Sequence, residues 1–154
     1  MVAALHRKLI VVRGALDDLD EHDVTSTLDG DATPAGGRCR EAAQLHQRLR
    51  ADILLAAALL HDVGRGRELD RGPLFLPTAE GKLLGHVHLG LRAIEERAGG
   101  LEPEIRAEVL HAVAVHHDVR GARTAEASVL YHANALDAAA TTRPVETAGA
   151  SAAG

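Results

Sequence analysis

The chain has 154 residues, 46% of them hydrophobic, with one Tyr, one Phe, no Trp and a formal net charge of −5. That length suffices to bury one core unaided, and a core so poor in rings must be built from Leu, Val, Ile and Ala, which favours closely packed helices. The acidic balance offers no general attraction to duplex nucleic acid, and the scarcity of rings argues against a base-stacking platform for single strands.

The outlying count is ten histidines. The lone Cys39 excludes an intramolecular disulfide and a cysteine-based zinc cluster, so a metal site must be built from His, Asp, Glu or Asn. Cys39 itself is expected to be a small buried apolar residue. No secretory signal is read, and the longest apolar run, Ile53 to Leu60, is too short to span a membrane. The expectation is a cytoplasmic protein.

Along the chain, Leu5, Leu9, Val12, Leu16 and Leu19 predict an amphipathic helix over 2–19, followed by an acidic stretch around His22. Residues 29–37 are dense in turn formers and read as a loop insertion. A second helix is predicted over 38–48, with Cys39, Ala42, Ala43, Leu45 and Leu49 facing inward. A third, nearly all apolar and therefore central, covers Arg50 to His61. Gly64 to Gly85 reads as a long loop, and a long loop in a compact domain is usually functional. A helix from about 86 to 98 stops at Gly99-Gly100. Pro103 opens a fifth helix ending near His117, and Thr124 caps a sixth that carries Val129, Leu130, Ala133, Leu136 and Asp137. The domain is expected to cover 1–140, with 141–154 a disordered tail. The predicted architecture is all-α, a single-domain helical bundle.

The apolar third helix ends on His61-Asp62, adjacent imidazole and carboxylate groups that can both coordinate one divalent ion. Downstream lie His86, His88, His111 and the doublet His116-His117. Bundles build metal sites in this way, from side chains on several helices. If the doublet lies on a helix, its members point about 100° apart, so both could serve only at a two-metal site. His46, His88, His111 and His132 are expected to be solvated or supporting, with His88 facing away from His86.

His61-Asp62-Val63-Gly64-Arg65 resembles the signature of the HD-domain metal-dependent phosphohydrolases. The stretch Glu80 to His86, His116-His117, and Leu130 to Ala138 resemble the HD domains attached to bacterial 3′–5′ exoribonucleases. The resemblance covers about residues 20–140 and does not extend to the RNA-binding OB-fold domain of those enzymes. It implies an HD-type helical bundle holding one or two divalent ions (Mn, Fe, Mg, Co, Ni or Zn). The implied ligands are His61, Asp62, His86 and His116, with His117 added at a two-metal site. His22 joins them if 29–37 is an insertion, since Asp31 stands at the family's usual spacing. Where the family's late motif carries an Asp, this chain has Asn134, with Asp137 three residues on, so either is a candidate ligand.

Phosphoester hydrolysis needs an activated water and a cation to spread oxyanion charge. Asp62 would bridge ions or orient the water, while Arg65 and Lys82 would neutralise a substrate phosphate. The expected function is a divalent-metal phosphohydrolase acting on a nucleotide or short oligonucleotide. The alternative is a degenerate HD module that binds a nucleotide or partner in regulation. The sequence leaves oligomeric state open.

Overall fold

A computed structural model describes residues 34–70 and 72–142. Its elements are α1 (Pro34–Leu45), α2 (Ala51–Leu60), α3 (Arg65–Glu68), α4 (Ala79–Arg97), α5 (Pro103–Ala114) and α6 (Ala125–Thr142), with 3₁₀ turns at Ala98–Gly100 and Val119–Gly121. Among the described residues the only extended pairing is one isolated bridge between Leu69 and Pro77. The fold is all-α. No described helix is long and apolar enough to cross a membrane.

Helix α2 is the centre because its sequence leaves no polar face. Ile53, Leu54, Ala57, Ala58 and Leu60 are all buried. It packs against α1, α5 and α6, whose Cys39, Val109, Ala112, Val113, Ala127 and Leu130 complete the core. Small residues dominate, so helix backbones approach closely and the core fills without rings. Burial pushes the Cys39 thiol up to about 11, consistent with an inert packing role.

Several boundaries differ from those the sequence predicts. Helix α1 begins at Pro34, inside the expected 29–37 loop, because proline suits a first helical turn. Its Gly36-Gly37 pair costs helix propensity, but burial of Ala35, Gly36 and Cys39 outweighs it. The helix stops at Leu45, leaving that side chain exposed rather than inward. The predicted long loop from Gly64 to Gly85 is helical at both ends, and only residues 69–78 lie between the helices. It contains α3 and the first stretch of α4, whose start is capped by Thr78 Oγ1 accepting the Gly81 N–H at 2.9 Å. At the other end, α6 opens on the predicted Thr124 cap and runs to Thr142. The predicted 2–19 helix, His22, Asp31 and the tail beyond 142 lie outside the described residues.

Candidate metal centre

Three helix boundaries meet here. Helix α2 ends at Leu60, His61 caps it, and Asp62-Val63 turn out of the helix. Gly64 then presses on α4: a Cβ there would sit 1.9 Å from the His86 carbonyl oxygen and 2.5 Å from the Gly90 nitrogen. Only hydrogen fits, so glycine at 64 is what brings the His-Asp corner onto α4. Within α4, Gly85 adopts φ 68°, which breaks the helix and restarts it at His86. Helix α5 ends at Ala114, so His116 and His117 lie in the turn beyond it. The helix expected to end near His117 thus stops short of the doublet. The helical 100° divergence does not apply to the doublet, and its ring centroids are 3.9 Å apart.

Backbone carbonyls set the histidine tautomers. His61 Nδ1 lies 2.8 Å from the Ala58 carbonyl and His116 Nδ1 lies 2.6 Å from that of Val113. A carbonyl only accepts, so each Nδ1 carries a hydrogen, and in the neutral ring Nε2 is the atom with the lone pair. Both lone-pair nitrogens lie near Asp62: His61 Nε2 is 3.6 Å from Oδ2, and His116 Nε2 is 4.0 Å from Oδ1. His86 Nε2 is 3.5 Å from the same Oδ1 and 3.1 Å from His117 Nε2. One ring nitrogen each from His86, His116 and His117 falls within 4.8 Å of the others, a group that could hold a metal ion.

The electrostatics keep these groups in ligand form. Burial drives the His116 pKa down to about 4, and burial followed by the nearby His86 lowers His117 as well. Both are therefore neutral imidazoles at neutral pH. Burial alone would raise the Asp62 carboxyl, but His61, Arg65 and His86 outweigh it and hold it below the usual carboxylate range. His116 is 0% exposed and its Nε2 has no hydrogen-bond partner. A buried orphan lone pair is costly, and here it faces Asp62 Oδ1, a carboxylate oxygen whose near donor is Arg65 Nε at 3.1 Å. A cation between them would satisfy both. The donor set of neutral imidazoles and one carboxylate fits a divalent transition ion.

The other sequence-predicted residues fall around this cluster. Arg65 Nε is 3.1 Å from Asp62 Oδ1, with the side chain half exposed. The Asn134 amide lies 3.4 Å from His117 Nδ1. Asp137, one turn further along α6, is ion-paired with Arg38 instead of facing the histidines. Lys82 is exposed on the first stretch of α4. His46, His88 and His132 are exposed, and His111 Nε2 accepts the Arg123 N–H at 2.9 Å. One residue at the site escaped the sequence reading: Glu68, whose carboxylate touches both the backbone and the ring of His86.

The 3′-5′ exoribonuclease YhaM of Bacillus subtilis is 30% identical over 129 residues, which is 77% of this chain and 40% of that protein. Its counterpart in Geobacillus sp. is 34% identical over 103 residues, 61% of this chain and 32% of the relative. The one from Halalkalibacterium halodurans is 40% identical over 81 residues, covering 51% and 25% respectively. The chain thus spans 40% or less of the length of these curated relatives. No solved structure matches it. A family model described as HD domain matches residues 36–139. That match takes in α2 to α5, nearly all of α1 and α6, and every described residue of the histidine cluster, and the chain belongs to the HD domain family.

Proposed function

We propose that this domain is a divalent-metal-dependent phosphohydrolase acting on a phosphoester of a nucleotide or short oligonucleotide. The observation that carries the reading is the convergence of His61, His86 and His116 Nε2 atoms on the Asp62 carboxylate, with the His116 nitrogen buried and unpartnered. His61, Asp62, His86 and His116 would hold the ion, with His117 at its edge. When bound, the ion supplies a water activated near neutral pH and a sink for oxyanion charge. An imidazole-rich donor set favours Zn, Fe or Ni over Mg.

The chain's own groups do the rest. Asp62, held as a carboxylate, accepts a hydrogen bond from the attacking water and orients it. Arg65 uses Nε toward Asp62 and Nη1 toward Glu68, which leaves its outer donors for a substrate phosphate. Lys82 adds positive charge from the solvent side. The relatives named 3′-5′ exoribonucleases support an RNA-type phosphodiester as the substrate class.

Protein purified without chelator is expected to hold transition metal and to cleave bis(p-nitrophenyl) phosphate or a short RNA, with both properties lost in EDTA. Zn²⁺ or Mn²⁺ at 100 times its Kd should stabilise the stripped protein by about 2.7 kcal/mol, read as a rise in Tm. A Tm indifferent to these ions, together with no cleavage, refutes the hydrolase.

A second reading, a regulatory HD module without hydrolysis, is favoured by the neutral Asn134 amide beside His117, where the resemblance expects a carboxylate. Asn134→Asp separates the two. A gain of metal and of cleavage from an inactive wild type marks the regulatory module, whereas an active wild type excludes it.

A further inference from the structure

Glu68 ends α3 and belongs to no motif of the chain. Its side chain is 18% exposed, and its Oε1 accepts the His86 backbone N–H at 3.2 Å. Its Oε2 lies 3.5 Å from His86 Nδ1 and 3.4 Å from Arg65 Nη1.

Two requirements meet at this carboxylate. Gly85 breaks α4, so the helix that restarts at His86 has unsatisfied N–H groups and a preceding residue with no side chain to cap them. Glu68 supplies the acceptor from another element. The second requirement concerns the ring. His61 and His116 follow the ends of α2 and α5, where free carbonyls hold each Nδ1–H and turn Nε2 toward Asp62. His86 stands at a helix start, which presents N–H groups and no free carbonyl. It needs an acceptor from elsewhere for the same tautomer, and the Glu68 carboxylate, 3.5 Å from its Nδ1, is within reach to serve.

We propose that Glu68 is a positioning residue for His86. It caps the restarted helix and holds the Nδ1–H tautomer, so that Nε2 points at Asp62 and His117. Glu68 touches neither ion nor substrate in this role, and it rests on the metal-centre reading above. Carboxylates that orient metal-ligating histidines typically change metal affinity about 10- to 100-fold when removed.

Three measurements on wild type, Glu68→Gln and Glu68→Ala test it. Above neutral pH, ¹⁵N NMR of the stripped protein should find His86 as the Nδ1–H tautomer in wild type and as a mixture in Glu68→Ala. Calorimetric titration with Zn²⁺ should weaken by about 10- to 100-fold in Glu68→Ala and by less in Glu68→Gln, whose amide oxygen still accepts one hydrogen bond. Glu68→Gln should keep its Tm in EDTA within about 3 °C of wild type. An unchanged His86 tautomer with unchanged Zn²⁺ affinity in folded Glu68→Ala overturns the proposal. If wild type takes up no Zn²⁺ while Glu68→Ala still scrambles the tautomer, the metal-centre reading fails and the hold of Glu68 on His86 stands.

Discussion

Asp62→Asn should leave the helices standing and remove metal uptake and hydrolysis together. The carboxylate is where the site converges: one oxygen is 3.1 Å from Arg65 Nε, 3.5 Å from His86 Nε2 and 4.0 Å from His116 Nε2, and the other is 3.6 Å from His61 Nε2. Asparagine preserves the shape and removes the negative charge on which His61, His86 and His116 Nε2 converge. Neutral nitrogens alone hold a divalent ion far less well, so affinity should fall by more than the roughly 100-fold upper range of supporting residues. Phosphoester cleavage should fall on the order of 10³-fold, as for loss of a group that stabilises developing charge. The stripped variant should melt within about 3 °C of wild type, since the exposed pairing with Arg65 contributes little. Wild-type Zn²⁺ uptake in this variant would remove Asp62 from the centre.

The parts of this arrangement that could be read in advance are those with local chemical causes. An apolar run stopping on His61-Asp62 announces both a central helix and the polar corner at its end. Pro103, Thr124 and the Gly99-Gly100 pair mark helix limits through backbone chemistry that acts within a few residues. The order of the His-Asp, Gly-His and His-His motifs carried the family resemblance, and the HD domain match spans them. What stayed hidden depends on packing. The stretch between Gly64 and Gly85 is rich in turn formers, so the Thr78 cap and the helix it starts were masked by Pro73, Pro77 and Gly81. Nothing in Val113-Ala114-Val115 marks a stop, so the doublet was placed on a helix that ends before it.

Glu68 was illegible for another reason. In a four-residue helix flanked by Arg65 and Arg67 it reads as a solvated charge, and its partner is eighteen residues away. The close approaches permitted at Gly64, against His86, and at Gly81, against the Glu68 backbone, bring the two together. Asp137 is the reverse case: sequence proximity to Asn134 made it a candidate, and the pairing with Arg38 on α1 turns its carboxylate elsewhere.

The stripped protein should lose about 3 kcal/mol of stability as pH falls from about 6.5 to about 4, largely through His116. The sign follows from which state takes the proton first. His116 has its ordinary value of 6.5 when unfolded and is driven down to about 4 when folded, chiefly by burial. Its contribution is therefore complete above pH 6.5. Below that the unfolded chain is protonated while the native site resists, and the loss ends once the folded ring also titrates. His117, also lowered, acts in the same direction. Against a typical total of 5–15 kcal/mol this is a large fraction. Denaturant titrations in EDTA across this range should give a steep wild-type slope and a flatter one for His116→Gln. Equal slopes would place the acid sensitivity elsewhere. The same burial leaves His116 Nε2 unprotonated at neutral pH, so the acid lability and the readiness to take a cation have one cause.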